Sequence, residues 1–331
     1  MTTNDTALSD ICSLGARLAD SSTYRFVLAA KLFSCIFGLV ANIYVLKSEG
    51  TRWLAHPNAK IVYVVHIFWA TYVPIAFCVP MGFDFVRFHI PQSDPCSYTL
   101  SLVAGFWIRL VGAVGNITQS YTMLAFALER SLATAFPVKY EKVKCSLMGW
   151  ILGGGAMVVS FTHIAVLLVL PNDKFEGRSF VTSILTPLNS SSYTFHLSVM
   201  MYLECTTVSI FTFNLIVNHI QKKKMKIGEI SHKYQIKETS KLIKSLLPCF
   251  WVHFVIFLIP TLGLSIRRKM TPPLDPIGNT EWIECLSNYQ LYSIVMPAVV
   301  LMLRHRDRKK IVINSHHGME SHFEQLSVMF K

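Results

Sequence analysis

The chain has 331 residues, 52% of them hydrophobic and only 15% charged, with a mean hydropathy of +0.42. Soluble domains carry nearer a quarter charged residues, so this composition points to a bilayer as solvent. A net charge of +12 would suggest nucleic acid in a soluble protein; spread between long apolar runs, it makes membrane lipids the expected partner and nucleic acid not one.

In chain order, residues 1–25 are polar, without a short apolar core or cleavage site, so they are expected to stay as an extracellular N-terminal tail and not a removable signal. A helix needs about 20 apolar residues to cross the hydrocarbon core. Seven segments meet this: Phe26–Leu46, Ile61–Met81, Ile108–Leu128, Leu147–Leu170, Phe195–Ile220, Leu246–Leu264 and Ile283–Leu303. The third, with Asn116, Gln119 and Ser120, and the seventh, with Glu284, Asn288 and Gln290, are the most polar. Backbone groups in lipid must bond within their own segment, and no short alternating strands occur, so the expectation is an all-α seven-helix bundle spanning 26–303. The tail 304–331 follows, with a short amphipathic helix expected over Ile311–Lys331.

Lysine and arginine are unevenly divided between the two sets of connections. Segments 47–60, 129–146, 221–245 and 304–331 hold 21, and the opposite set holds 8. The basic side faces the cytoplasm, so the N-terminus is expected outside and the C-terminus inside. The sequons at Asn4 and Asn189 fall outside, where glycosylation is possible; Asn116, also in a sequon, lies within a span and should be bare.

The third span ends in Glu129-Arg130, followed by Pro137 and Tyr140. Alone, an arginine at a helix end is as well explained by snorkelling to headgroups. With seven spans, however, E-R-S-L-A-T-A-F-P-V-K-Y resembles the D/E-R-Y…P-L-x-Y stretch of G-protein-coupled receptors, Ser131 replacing the usual aromatic. Gly38 and Asn42 resemble the polar position of that class in helix one. Finer features are His56-Pro57-Asn58, Asp94-Pro95-Cys96, Ala133-Thr134 and Tyr140-Glu141-Lys142. On these the chain is similar to the nematode serpentine chemoreceptors of the alpha/AB superfamily. The resemblance implies an orphan sensory receptor in a plasma membrane, in neurons and in a sensory cilium. It also implies an extracellular small-molecule or peptide ligand, a heterotrimeric G protein as partner, and Glu129, Arg130, Pro137 and Tyr140 as the coupling switch. Such a switch is a two-state element: Glu129 holds Arg130 and keeps helices three and six together until a ligand releases them.

The pattern has departures. Pro297 lacks the Asn and Tyr of N-P-x-x-Y, and Pro248, Trp251 and Pro260 do not follow the usual C-W-x-P order, so switch details tied to those groups do not carry over. Each proline is either a hinge or a static bend. The loop Pro171–Thr194 has no cysteine, leaving Cys12, Cys96 and Cys285 as outward candidates. A Cys12–Cys96 bond is expected, with Cys96–Cys285 and three free thiols as alternatives.

Ionisable residues within spans are costly and become candidates by default. Arg109, Asn116 and Ser120 share one helical face, positioned for an anionic ligand group, for Glu281 or Glu284, or for headgroups. Glu204 sits near mid-membrane with His196, His163 or His253 as neighbours, in an interhelical hydrogen bond or in the pocket. Asn288, Tyr289 and Tyr292 complete the expected wall; Lys31 is assigned no role. No C-x-x-C, Cys/His cluster or cofactor motif appears, nor an Asp pair, Ser/His arrangement or H-E-x-x-H, so neither a metal, a cofactor nor an enzyme is expected. A transporter or channel is the competing class, but seven spans do not split into paired halves. Gly153-Gly154-Gly155 is the only broken-helix candidate, better explained by close packing.

Overall fold

The computed structural model describes residues 3–48, 56–142, 145–172, 177–186, 188–224, 230–269, 275–303 and 305; the side chains of 3–7, 141, 142, 224, 230–235, 237, 238, 241, 245, 268 and 269 are not described. The Asn4 side chain, the centre of the basic loop at 225–229 and the expected helix over Ile311–Lys331 therefore lie outside the described residues. The helices are α1 (Thr3–Asp20), α2 (Ser22–Ser48), α3 (Pro57–His89), α4 (Leu102–Ala135), α5 (Pro137–Lys142), α6 (Leu147–Ile164), α7 (Ser190–Lys224), α8 (Ile230–Lys269), α9 (Pro276–Leu286) and α10 (292–303). Among the described residues six stretches are long and apolar enough to cross a membrane, built on α2, α3, α6, α7, α8 and the α9–α10 pair. The 34-residue α4 lies among them, ~51 Å long. Its composition falls short because it carries Arg109, Asn116, Thr118, Gln119, Ser120 and Thr122, all buried in the bundle.

Helix α2 shows how such a helix is read. Its buried residues are Tyr24, Leu28, Lys31, Cys35, Gly38, Asn42 and Val45, a stripe at alternating three- and four-residue spacing. Phe26, Phe33, Phe37 and Val40 face outward, as an apolar solvent allows. Asn42 Nδ2 donates to the carbonyls of Gly38 and Ser293, each at 2.9 Å, and joins α2 to α10. A Cβ on Gly38 would lie 2.9 Å from that of Ser293, so glycine is required for this approach.

Three expectations need correction. Residues 3–20 are a helix and not a plain tail: α1 buries Cys12, Leu18 and Ala19 against the end of the bundle that holds Arg109. Asp94 caps a short turn by accepting from the Cys96 N–H at 3.0 Å, and the turn carries Cys96 into a disulfide with Cys12. The seventh span is interrupted: α9 ends at Leu286, a 3-10 turn spans Tyr289–Leu291, and α10 follows. Asn288 Nδ2 donates to the Cys285 carbonyl, the local competition by which Asn breaks helices. Finally, α6 runs unbroken through Gly153–Gly155 and changes to a π turn at Ala165–Val169 instead. Gly149 and Gly153 meet α3, whereas a Cβ on Gly154 or Gly155 would touch nothing, so only part of that glycine run serves helix packing.

The segment from α6 to α7 folds back over the Arg109 end. Strand β1 (Leu100–Ser101), just before α4, pairs antiparallel with β2 (Arg178–Ser179). In the absence of a cysteine in this loop, backbone hydrogen bonds tether it to α4. Thr182 Oγ1 also donates to Asp84 at 2.6 Å, and Asp84 pairs with Arg87 at 2.6 Å. Asn189 is fully buried, its Oδ1 accepting from Thr186 N–H and its Nδ2 donating to the Ile184 carbonyl. The sequon nitrogen is thus engaged inside this loop.

Candidate functional site

At the Arg109 end, α2, α4 and α9 converge on a buried ionic triad. Glu284 accepts from Arg109 Nη2 through both oxygens, at 2.8 and 3.1 Å, and from Lys31 Nζ. Lys31, to which the sequence assigned no role, is 2% exposed. Arg109 meets Glu284, one of the partners weighed for it. No local signal could have matched Lys31 to Glu284, because they are 253 positions apart. The remaining face of Arg109 meets Met81 Sδ at 3.9 Å and the Phe77 ring.

Beneath the triad opens a cavity of about 120 Å³, closed on one side by Thr182–Leu185 of the folded-back loop. Arg109, Asn116, His196, Glu204, Glu284 and Tyr289 all line it. Three other sequence candidates do not. Ser120 is buried with its hydroxyl turned to the Asn116 carbonyl, Asn288 is spent on its helix end, and Tyr292 lies deeper in the core. Glu204 Oε2 lies 2.9 Å from His253 Nδ1, while His196 Nδ1 is 2.7 Å from His163 Nε2, whose ring in turn meets Tyr121. Of the histidines considered near Glu204, His253 is thus its partner. His253 stacks edge-on against Tyr292, Tyr292 Oη lies 3.3 Å from His66 Nε2, and His66 Nδ1 lies 3.0 Å from Thr122 Oγ1. This polar chain, which the sequence reading did not assemble, runs from the cavity floor into the core across α7, α8, α10, α3 and α4.

At the other end of α4 is a second buried cluster. Arg130 donates to both oxygens of Glu129, and Tyr140 Oη donates to Glu129 while accepting from Arg130 Nη2 at 3.2 Å. Glu129 is 0% and Arg130 3% exposed. Burial pushes the Tyr140 hydroxyl well above its usual pKa, so it remains a donor. Pro137 opens α5, the first-turn position where its missing N–H costs nothing, and α5 presents Tyr140 and packs against α8. The His56-Pro57-Asn58 stretch also acquires a role. His56 stacks on Tyr140 with its Nε2 3.1 Å from the Tyr140 carbonyl, and Asn58 Oδ1 accepts from the Gly149 N–H at 3.0 Å. Ser131 and Thr134 accept from Asn214 and Asn218 of α7 at 2.9 and 2.7 Å. Cys285 is an exposed free thiol.

These features define a multi-pass, mostly helical membrane protein with polar groups at each end of the long helix α4. The family model for the serpentine type 7TM GPCR receptor class ab chemoreceptor matches residues 9–331, and the chain belongs to that family. Among Caenorhabditis elegans proteins it is similar to serpentine receptor class alpha/beta-14, at 24% identity over 88% of this chain and 77% of that one. It is similar also to serpentine receptor class beta-6, at 23% over 87% and 85% respectively. The family is a receptor class and a seven-helix one, and the transporter alternative is not favoured.

Proposed function

We propose that the protein is a chemosensory receptor of the plasma membrane that binds an extracellular ligand in the Arg109-end cavity and activates a heterotrimeric G protein at the Arg130 end. The N-terminus is outside in this reading. The excess of basic residues on the other set of loops supports that orientation, as does the Cys12–Cys96 disulfide, which belongs to an oxidising compartment. The observation that carries the proposal is the placement of the cavity and the Glu129–Arg130–Tyr140 cluster at opposite ends of one helix, with 21 residues, ~32 Å, from Arg109 to Arg130. The cluster is buried, so it resists exposure until its partners separate. Separation frees a guanidinium and opens the ends of α4, α5 and α8, a surface for a protein partner. A ligand that binds the open arrangement better than the closed one shifts that equilibrium.

The test is guanine-nucleotide exchange on a co-reconstituted Gα protein. Glu129→Gln, which weakens the hold on Arg130, raises basal exchange. Arg130→Ala abolishes exchange while the protein still reaches the cell surface. Wild-type exchange by Arg130→Ala defeats the coupling role.

A further inference from the structure

Resting on the receptor reading of the cavity, we propose that its ligand is a small amine with an apolar body, the ammonium group seated between Glu204 and Asn116. Glu204 Oε1 and Asn116 Oδ1 have no hydrogen-bond partner, although their residues are only 4% and 6% exposed. Both residues line the cavity. Native interiors rarely leave such acceptors unmatched, and an incoming N–H or O–H recovers the desolvation already suffered. Two acceptors call for a ligand with more than one donor hydrogen, which an ammonium has and a ketone, ester or ether lacks. A carboxylate on one side makes the bond charge-assisted, so an ammonium is preferred over a hydroxyl of similar size. An anionic group at this depth would face two bare oxygens and is rejected.

The opposite end of the cavity sharpens the choice. Lys31 and Arg109 share the single carboxylate of Glu284, so the triad carries a surplus positive charge. A cation is repelled there and driven toward Glu204. Asn116 lies seven residues past Arg109, ~10 Å along α4, which separates the ammonium from the surplus charge. The titratable neighbours at the deep end are His253, hydrogen-bonded to the other Glu204 oxygen, and His196, engaged with His163. Between the two ends Phe77, Ile117, Met200 and Phe257 supply apolar wall, suited to an alkyl or aryl body.

The experiment measures binding without signalling. The full-length protein, purified in detergent, is titrated with 2-phenylethylamine, tryptamine and hexylamine, each beside the alcohol of the same skeleton, and its thermal midpoint is followed. At least one amine is expected to raise the midpoint, with its alcohol weaker by about tenfold or more. Glu204→Gln keeps the shape of the side chain and should cost the amine about tenfold while leaving the alcohol unchanged. Asn116→Leu removes an unmatched polar atom, so it folds at least as well as the wild type and still weakens the amine. The proposal is overturned if no amine shifts the midpoint, if alcohols match amines, or if Glu204→Gln binds amines as the wild type does. Basal nucleotide exchange by Glu129→Gln needs no ligand, so a failure of the amine assignment is distinguishable from a failure of the receptor reading.

Discussion

The two charged clusters on α4 differ in what they join. At the Arg109 end, Glu284 gathers Lys31 and Arg109 from helices that are 253 and 175 positions away, so the cluster ties α2, α4 and α9 into one unit. At the Arg130 end, Glu129 and Arg130 are adjacent and their shared partner Tyr140 comes only eleven residues after Glu129. A staple between distant helices is lost only when the bundle opens. Bonds among Glu129, Arg130 and Tyr140, which lie close in sequence, can come apart while the helices stay folded. The geometry therefore assigns stability to one end and change to the other.

The contrast is broken most sharply at Glu284. Glu284→Gln leaves two buried cations without a carboxylate, and truncating one partner of a buried pair costs about 3–5 kcal/mol. The purified protein should lose most of its thermal stability. By contrast Lys31→Met keeps the Arg109–Glu284 pair and removes only the surplus charge. Its expected loss is below about 1.5 kcal/mol, the ordinary tolerance for an apolar replacement of similar volume. Equal losses in the two variants would show that the triad is not organised around Glu284.

A second cut removes the covalent tether of the same end. Cys96→Ser opens a link between residues 84 positions apart, and loss of such a bridge costs about 2–4 kcal/mol. The melting midpoint should fall, with basal nucleotide exchange unchanged, since α1 touches nothing near Arg130 among the described residues. A rise in exchange would mean the two ends are mechanically joined through α1.

The largest signalling effect should come from Tyr140→Phe. It deletes a hydroxyl bonded to Glu129 and Arg130, worth about 1.5–3 kcal/mol for hydrogen bonds to charged groups. If that energy holds the closed state, basal exchange rises about tenfold for each 1.4 kcal/mol, while the midpoint moves by only a few degrees. An unchanged exchange rate would remove Tyr140 from the switch and leave it a structural contact.

Much of this was legible in the chain. Apolar run lengths give the spans, and the three- and four-residue spacing of Tyr24, Leu28, Lys31 and Cys35 marks the inward stripe of α2. Glu129, Arg130 and Tyr140 could be grouped because they are close in sequence. Arg109, Asn116, Glu204, Glu284 and Tyr289 were singled out as polar groups at membrane depth, and the fold brings them around one cavity. Lys31 was passed over because a lysine near a helix end can equally well reach water, and nothing local to it announces a carboxylate on α9. The break after Leu286 and the π turn after Ile164 were invisible for a related reason, since both depend on which neighbours accept the freed backbone groups.

By itself, then, the sequence determined which runs are apolar enough for lipid, which faces turn inward and where the basic charge falls, because each of these is a sum over neighbouring residues. Only the tertiary structure decided which buried charges meet, that Thr182–Leu185 close the cavity, and that Glu204 and Asn116 keep oxygens without donors. Those outcomes depend on the rotation and depth of helices relative to one another. A shift of one residue in register turns a side chain by about 100°, enough to exchange a partner for lipid.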